Sequence, residues 1–176
     1  FYKDATLIDD SEAIVGVPTV FQFVLMNQIE DLSKSRAIFG ETGYKVTDKL
    51  EMGVGLRYFE DEREFQGDVI EPVQKETFDS LNPKLYLSYH PTSDIHLYAN
   101  VAKGFRSGGF NVAGLPSYDP EDVLSYELGS KMSAIDGRLN AELALFYSEY
   151  DDYQIVGVIP TIGNITSNAG SAELQG

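Results

Sequence analysis

The chain has 176 residues, no cysteine, and a formal net charge of −15 from 28 acidic and 13 basic residues. This acidic excess argues against a nucleic-acid partner, because phosphate contacts need lysine and arginine, and against docking on an anionic membrane surface. The absence of cysteine excludes disulfides and thiolate chemistry, and no apolar run approaches the roughly 18 residues of a membrane-spanning helix.

The clearest local signal is an alternation of apolar and polar residues with a period of two, which predicts β-strands. A weak strand is predicted near residues 34–45. Residues 49–65 then read as one long strand, whose apolar side chains share one face between residues 50 and 58. Further strands follow at residues 85–89, 95–106, 124–131 and 138–147, and another is predicted from Ile165. The sequence therefore predicts an all-β fold whose strands have one apolar face and one small or polar face.

Short and long connections alternate along the chain. The tight turns are VTDK (46–49), PTSD (91–94) and IDG (135–137), which are rich in Asp, Pro and Gly. The long connections are residues 66–76, 107–122 and 154–164. Strands with tight turns at one end and long loops at the other form an antiparallel up-and-down meander, and outer-membrane barrels have this asymmetry.

Aromatic residues cluster near the predicted strand ends, where a bilayer interface places an aromatic girdle. They are Tyr58, Phe59, Tyr89, Phe105, Tyr147 and Tyr150. A soluble β-sandwich also alternates apolar and polar residues, with its apolar faces turned inward, and this alternative stays open. Strand length and loop asymmetry favour the membrane barrel, since membrane strands need about 9 to 11 residues.

Several motifs occur in order along the second half of the chain. LNPKLYLSYHPTSDIHLYANVAKGFRSGGFN (81–111) resembles a hairpin from the barrel of TonB-dependent outer-membrane receptors. That family has a strand of the form P-K-L-x-L-S-Y, and a returning strand that ends in G-F-R-(S/A)-G-G-F-N. The strands that follow in the family are similar to residues 118–154, which contain YDPEDVLSYELGSK and FYSEYDDYQ, and to SNAGSAELQG (167–176). An earlier hairpin of the family is similar to residues 41–65.

The resemblance implies that residues 1–176 are a segment of a 22-stranded transmembrane β-barrel in the bacterial outer membrane. Such receptors import a scarce nutrient with energy from the TonB complex, which acts through a plug domain. The GFRSGGFN motif favours a ferric siderophore as the ligand. The resemblance also implies that the barrel contacts outer-membrane lipid. We find no plug, TonB box or closing aromatic strand, and the chain begins without Met, so we expect a fragment. Residues 1–29 match poorly and are expected to form an external loop with flanking strand ends.

The candidate ligand-binding residues are Arg106, Asn111 and Tyr118, in the lumen or an external loop. GFRSGGFN is not a phosphate-binding loop, because no helix pattern follows it and it lacks the required lysine. We expect the chain to turn sharply at Gly108 and Gly109 after a strand that ends at Gly104. For Arg106, pairing with a lumenal carboxylate such as Glu127 is the competing role, since large barrels hold many lumenal charges.

Other functional classes have weaker support in the sequence. The acidic clusters at 60–64, 119–122 and 151–152 could bind Ca²⁺, but they lack EF-hand-like spacing and read better as solvated loops. His90 and His96 have no further ligand at metal-site spacing. No nucleophile–base pair suggests an enzyme, and no cofactor is expected. A soluble β-rich module that binds a ligand or saccharide is the alternative function.

Overall fold

A computed structural model describes the backbone of residues 2–15, 23–67, 72–112, 114–160 and 162–176, and the side chains from residue 30 onward. In these residues the chain forms ten strands: β1 (Tyr2–Val15), β2 (Phe23–Lys45), β3 (Leu50–Gln66), β4 (Gln74–Thr92), β5 (Ile95–Arg106), β6 (Glu121–Ala134), β7 (Leu139–Asp151), β8 (Gln154–Ile159), β9 (Gly163–Asn168) and β10 (Ala172–Gln175). No helix among them has the length and hydropathy needed to cross a bilayer.

Eight of these strands form one antiparallel sheet in the order β1-β2-β3-β4-β5-β6-β7-β10, and β8 pairs with β9 in a separate hairpin. This confirms the predicted meander, with tight connections after β2, β4 and β6 and longer ones at the opposite end. The count of 22 strands stays a prediction. Residues 154–164 are not a plain connection as predicted, because they contain β8 and the start of β9. Residues 1–29 contain β1 and the start of β2, and residues 16–22 of the expected loop lie outside the described residues.

One face of the sheet carries a continuous apolar surface, which we call the outer belt. It comprises the alternate residues of 50–58 in β3, 81–89 in β4, 95–101 in β5, 124–132 in β6 and 139–147 in β7 that share one face by register. At its centre Leu85, Leu128 and Leu143 have exposed fractions of 58, 58 and 63 %. Most of these segments are nine residues long, close to the length that a membrane strand needs.

The outer belt has no protein layer against it within the described residues. Only Phe65 and Phe78 are buried hydrophobic side chains there, and neither belongs to the belt. A soluble sandwich would cover its apolar face with a second sheet. The exposed belt is therefore the surface that a transmembrane barrel turns towards lipid.

The apolar surface gives way to charges towards the ends of the strands that join the longer connections. Arg36 pairs with Glu60, Lys75 with Glu62 at 2.9 Å, and Lys103 with Asp122 at 3.0 Å. The hydrogen bond from the Lys75 ammonium lowers the pKa of the Glu62 carboxyl. This change from apolar to ionic side chains marks where the sheet leaves the hydrocarbon region.

The predicted aromatic girdle is only partly correct. Tyr58, Tyr89 and Tyr147 lie on the outer face by register. Phe59 and Tyr150 lie on the opposite, inner face because they are one residue out of phase with the belt. The Phe105 ring packs against Phe59, with ring centroids 6.1 Å apart, instead of standing in the girdle.

On the inner face, two glycines are each covered by a tyrosine of a neighbouring strand. Tyr86 lies directly opposite Gly53, and Tyr98 opposite Gly129. A Cβ added to either glycine would approach the facing ring to 2.3 Å. Each tyrosine also hydrogen-bonds a glutamate two residues before its glycine, since Tyr86 donates to Glu51 at 3.0 Å and Tyr98 bonds Glu127. Two Glu-x-Gly segments thus use the same cross-strand arrangement.

We predict that Gly129→Ala destabilises the sheet by about 1 to 3 kcal/mol, because the new methyl group forces the Tyr98 ring from its place. The matched control is Gly40→Ala, since a Cβ at Gly40 meets nothing within 4 Å. Thermal unfolding, followed by the gel mobility of the folded barrel, measures both. Equal melting temperatures for the two variants would contradict the assigned packing.

Candidate functional site

The GFRSGGFN segment begins where β5 separates from β4. Pairing between β4 and β5 stops at Lys84–Ala102, whereas pairing between β5 and β6 continues to Arg106–Glu121. Residues 103–106 at the end of β5 therefore pair with β6 but not with β4, so this end of the strand can diverge from β4. The strand ends at Arg106 and not at Gly104 as predicted.

Aromatic contacts hold this segment against the inner side of β3 and β4. Phe105 packs on Phe59, and Phe110 stacks on Phe65 with centroids 6.2 Å apart. The ring of Phe78 lies against Gly108. This arrangement buries Phe65 and Phe78. The segment therefore covers the inner face near the longer connections and forms a small apolar core there.

Gly108 and Gly109 allow the chain to approach Tyr118 closely, and they do not form a sharp turn. Neither Gly108 nor Gly109 is among the glycines with positive φ. A Cβ at Gly108 would meet the Tyr118 carbonyl oxygen at 2.5 Å, and one at Gly109 would meet the Tyr118 hydroxyl at 2.5 Å. Gly109 and Tyr118 exchange two backbone hydrogen bonds of 3.0 Å. The prediction of a sharp turn here is wrong, because the loop instead folds back on itself around Tyr118.

Asn111 connects this loop to the β8–β9 hairpin. Its buried side-chain amide donates to the Pro116 carbonyl at 2.7 Å and to the Thr166 carbonyl at 2.8 Å. Its side-chain oxygen accepts from the Thr166 N–H at 2.9 Å. Because both ends of the carboxamide bind the backbone, the structure gives Asn111 a role in fixing the loop, and its predicted contact with a ligand stays a prediction.

Two further carboxamides fix the same region. Buried Gln154 donates to the carbonyls of Ser107 and Asp119, both at 3.0 Å. Asn168 donates to the carbonyls of Asp119 and Asp152 and accepts from the Asp119 N–H at 2.8 Å. We call Asn111, Gln154 and Asn168 the carboxamide clamp. It joins the long loop, the β8–β9 hairpin and the end of β7 into one rim.

Arg106 lies at the edge of this rim with its side chain exposed. Its cross-strand partner is Glu121, whose carboxylate accepts from the Gln154 N–H at 2.6 Å. The expected pairing with Glu127 is wrong, because Glu127 lies opposite Asn100 and bonds Tyr98. In the described ranges, no ion pair involves Arg106.

The three predicted site residues thus differ in what they offer a ligand. Asn111 and Tyr118 meet in the same folded loop, while Arg106 stands at its base with a free guanidinium group. Gln154 and Asn168 were not predicted as site residues, although they fall in the recognised DYQ and SNAG motifs.

The two histidines do not form part of a metal site in the described residues. His90 and His96 stack with ring centroids 4.3 Å apart. Across the described part of the chain, no three His, Cys, Asp or Glu side chains form a group that could hold a metal ion.

Comparison with known sequences connects this geometry to a family. Residues 10–176 match the model of the TonB-dependent receptor-like β-barrel. The chain is 28 % identical over 155 residues to the pesticin receptor of Yersinia pestis, covering 82 % of this chain and 23 % of the relative. It is 32 % identical over 107 residues to the metal-pseudopaline receptor of Pseudomonas aeruginosa, covering 60 % of this chain and 15 % of that receptor. The chain therefore spans less than a quarter of the length of these relatives.

Solved structures give the same fold. The ferric yersiniabactin uptake receptor of Yersinia pestis matches with a TM-score of 0.73 and 25 % identity over 94 % of this chain and 26 % of that receptor. The closed form of the ferric-catecholate import receptor from E. coli K12 matches with a TM-score of 0.70 and 17 % identity, covering 99 % of this chain and 30 % of that receptor. The second likeness is one of fold alone.

Proposed function

The chain belongs to the TonB-dependent receptor β-barrel family, and from this premise we propose that it forms part of the wall and outer rim of a receptor for metal-chelate uptake. Barrels of this family sit in the Gram-negative outer membrane. The ligand that we propose is a ferric siderophore or a similar metal complex. The observation that carries this choice is that the similar proteins include a ferric yersiniabactin uptake receptor and a metal-pseudopaline receptor.

The residues of this chain have distinct parts in the proposed receptor. The outer belt contacts lipid, and the carboxamide clamp holds the rim at the extracellular mouth. Arg106 is the predicted site residue best placed to contact a ligand, while Asn111 and Tyr118 shape the loop beside it. Transport draws on the TonB complex through a plug domain, and the chain performs no catalysis, in keeping with a family of transport receptors. The soluble module is not favoured, because no protein layer covers the outer belt within the described residues.

Uptake of radiolabelled iron tests this proposal. We expect cells that lack the gene to lose uptake from one or more of three ferric complexes, with a tris-catecholate, a polycarboxylate and a tris-hydroxamate ligand. Complementation restores uptake, and deletion of TonB abolishes it again. Uptake that is unchanged by loss of the gene for all three complexes, or that proceeds without TonB, would contradict the proposal.

A further inference from the structure

A shallow groove crosses the lipid-facing side of strands β2 to β5. It has a volume of about 520 Å³, and none of its lining residues is charged. One wall is a row of outward side chains that pair across the four strands, namely Tyr44, Met52, Leu87 and Ala99. The groove therefore extends the apolar face of the outer belt onto β2, and we call it the belt groove.

Small side chains at the β5 end give the belt groove its depth. Its second wall is the adjacent row of Thr42, Val54, Leu85 and Val101. Both rows continue onto β6 with bulkier side chains, since Leu128 lies opposite Ala99 and Tyr126 lies opposite Val101. Alanine and valine are thus followed by leucine and tyrosine, and the groove ends at β6.

The inner face is closed beneath the belt groove. The Tyr86 ring covers Gly53 there, and its hydroxyl group lies over Gly43. A hydrogen bond of 3.0 Å to the Glu51 carboxylate holds this hydroxyl in place. The Tyr86 side chain therefore separates the groove from the lumen, and the groove opens on the side that faces lipid.

The position along the strands places the belt groove in the periplasmic half of the barrel wall. Tyr44 is the last residue but one of β2, and Met52 is the third residue of β3. Both therefore lie close to the tight turn at residues 46–49. Short turns of outer-membrane barrels face the periplasm, so the acyl chains nearest to the groove are those of phospholipids in the periplasmic leaflet.

The size and chemistry of the belt groove fit one acyl chain better than a protein partner. Neighbouring strands lie about 4.8 Å apart, so a groove across four strands is about 14 Å long. A stable protein interface buries roughly 800 Å² on each partner, which requires a much larger surface. An acyl chain needs no hydrogen bonds, and it supplies the van der Waals contacts that an unfilled groove would lose.

We propose that the belt groove is a binding site for one acyl chain of a phospholipid in the periplasmic leaflet. Lipid tails are as apolar as the groove, so the preference comes from the shape of the groove and not from hydrophobicity. The bound chain exchanges with bulk lipid more slowly than lipid at the rest of the outer belt. This inference goes beyond the proposed function, because it concerns membrane lipid and depends only on the place of the barrel in the outer membrane.

A photoreactive phospholipid tests this assignment. The intact receptor that contains this chain is reconstituted in bilayers with a small fraction of phosphatidylglycerol that carries a diazirine on one acyl chain. Cross-linked residues are mapped by mass spectrometry after irradiation. We expect Met52, Leu87 and Ala99 to be labelled roughly threefold more than Leu143 and Leu145, which face lipid on β7 outside the groove.

A pair of matched variants shows whether the groove causes this enrichment. Ala99→Leu fills the groove at its β5 end and is expected to reduce labelling of Met52 and Leu87 to the level of β7. Ala141→Leu makes the same change on the outward face of β7, away from the groove, and should leave the enrichment unchanged. Both variants keep the face apolar, so both are expected to assemble, which the gel mobility of the folded barrel verifies.

The possible outcomes distinguish the occupants of the groove. Uniform labelling along the outer belt, or enrichment that Ala99→Leu does not reduce, would overturn the proposal. Enrichment with a diazirine-bearing lipopolysaccharide and not with the phospholipid would overturn the assignment to the periplasmic leaflet. Cross-links that join two receptor copies at the groove would show a second copy in place of lipid and would overturn the proposal as well. None of these results depends on which ligand the receptor imports.

Discussion

Leu128→Arg is expected to destabilise the assembled barrel by about 2 to 4 kcal/mol, because it places a charge at the centre of the lipid-facing surface. Leu128 is the third of five outward positions in β6 and is exposed to 58 %. The loss is expected as a lower yield of folded protein in the outer membrane and as a lower urea midpoint for the protein that does assemble.

The matched control places the same side chain on the opposite face. Asn100→Arg lies on the inner face of β5, opposite Glu127, where a cation has polar surroundings and a nearby carboxylate. We expect this variant to assemble normally. Leu97→Arg, one outward position from the centre of the belt in β5, should behave like Leu128→Arg. Normal assembly of both leucine variants would mean that this face does not meet lipid.

Asn111→Ala is expected to release the long loop from the β8–β9 hairpin. The substitution removes three side-chain hydrogen bonds and leaves the Pro116 and Thr166 backbone groups without them, at a cost of about 1 to 3 kcal/mol for each group that stays buried. Hydrogen exchange should rise at Thr166 and through residues 107–112 and 114–120, while the belt strands stay protected.

Asn140→Ala provides the control for this experiment. Asn140 is an exposed residue of β7 at the opposite end of the sheet, so its replacement should leave exchange at the rim unchanged. If Asn111→Ala gave the same exchange pattern as Asn140→Ala, the carboxamide clamp would not be what holds the loop.

Strand identity and the two faces could be predicted because alternation is a local property of the chain. The run from Leu50 to Tyr58 specifies a face without knowledge of any neighbouring strand, since side chains of a strand point alternately to its two sides. Alternation likewise predicts that Asn100 and Leu97 lie on opposite faces. Alternation does not predict the position of Phe105, because β5 leaves β4 there and the outward side of β5 packs on the inner face of the sheet.

Features that depend on register could not be predicted in the same way. Whether Tyr98 covers Gly129 depends on which residues face each other, and a shift of one residue would move every side chain to the other face. The carboxamide clamp likewise joins residues 55 positions apart, Asn111 and Thr166. The motifs marked both segments as important but gave no contact between them.

The candidate site could be predicted only in part, because its contacts depend on distances that the sequence does not give. Arg106 is conspicuous in the sequence because it stands among glycines and phenylalanines. Gln154 and Asn168 are two of many polar residues in the sequence, and only their hydrogen bonds to the Asp119 carbonyl separate them from the others. Contacts between residues so far apart in the chain require three-dimensional distances.

The described sheet is expected to be a barrel wall with lipid on one face and a polar lumen on the other. A single-cysteine scan of residues 124 to 132 in β6 distinguishes the two faces, and these 176 residues contain no native cysteine. Spin labels at each position in the outer-membrane receptor are exposed to oxygen, which partitions into lipid, and to a water-soluble nickel complex. We expect a period of two, with oxygen access at even positions such as Leu128 and nickel access at odd positions such as Glu127. Equal access to the nickel complex on both faces would contradict the account.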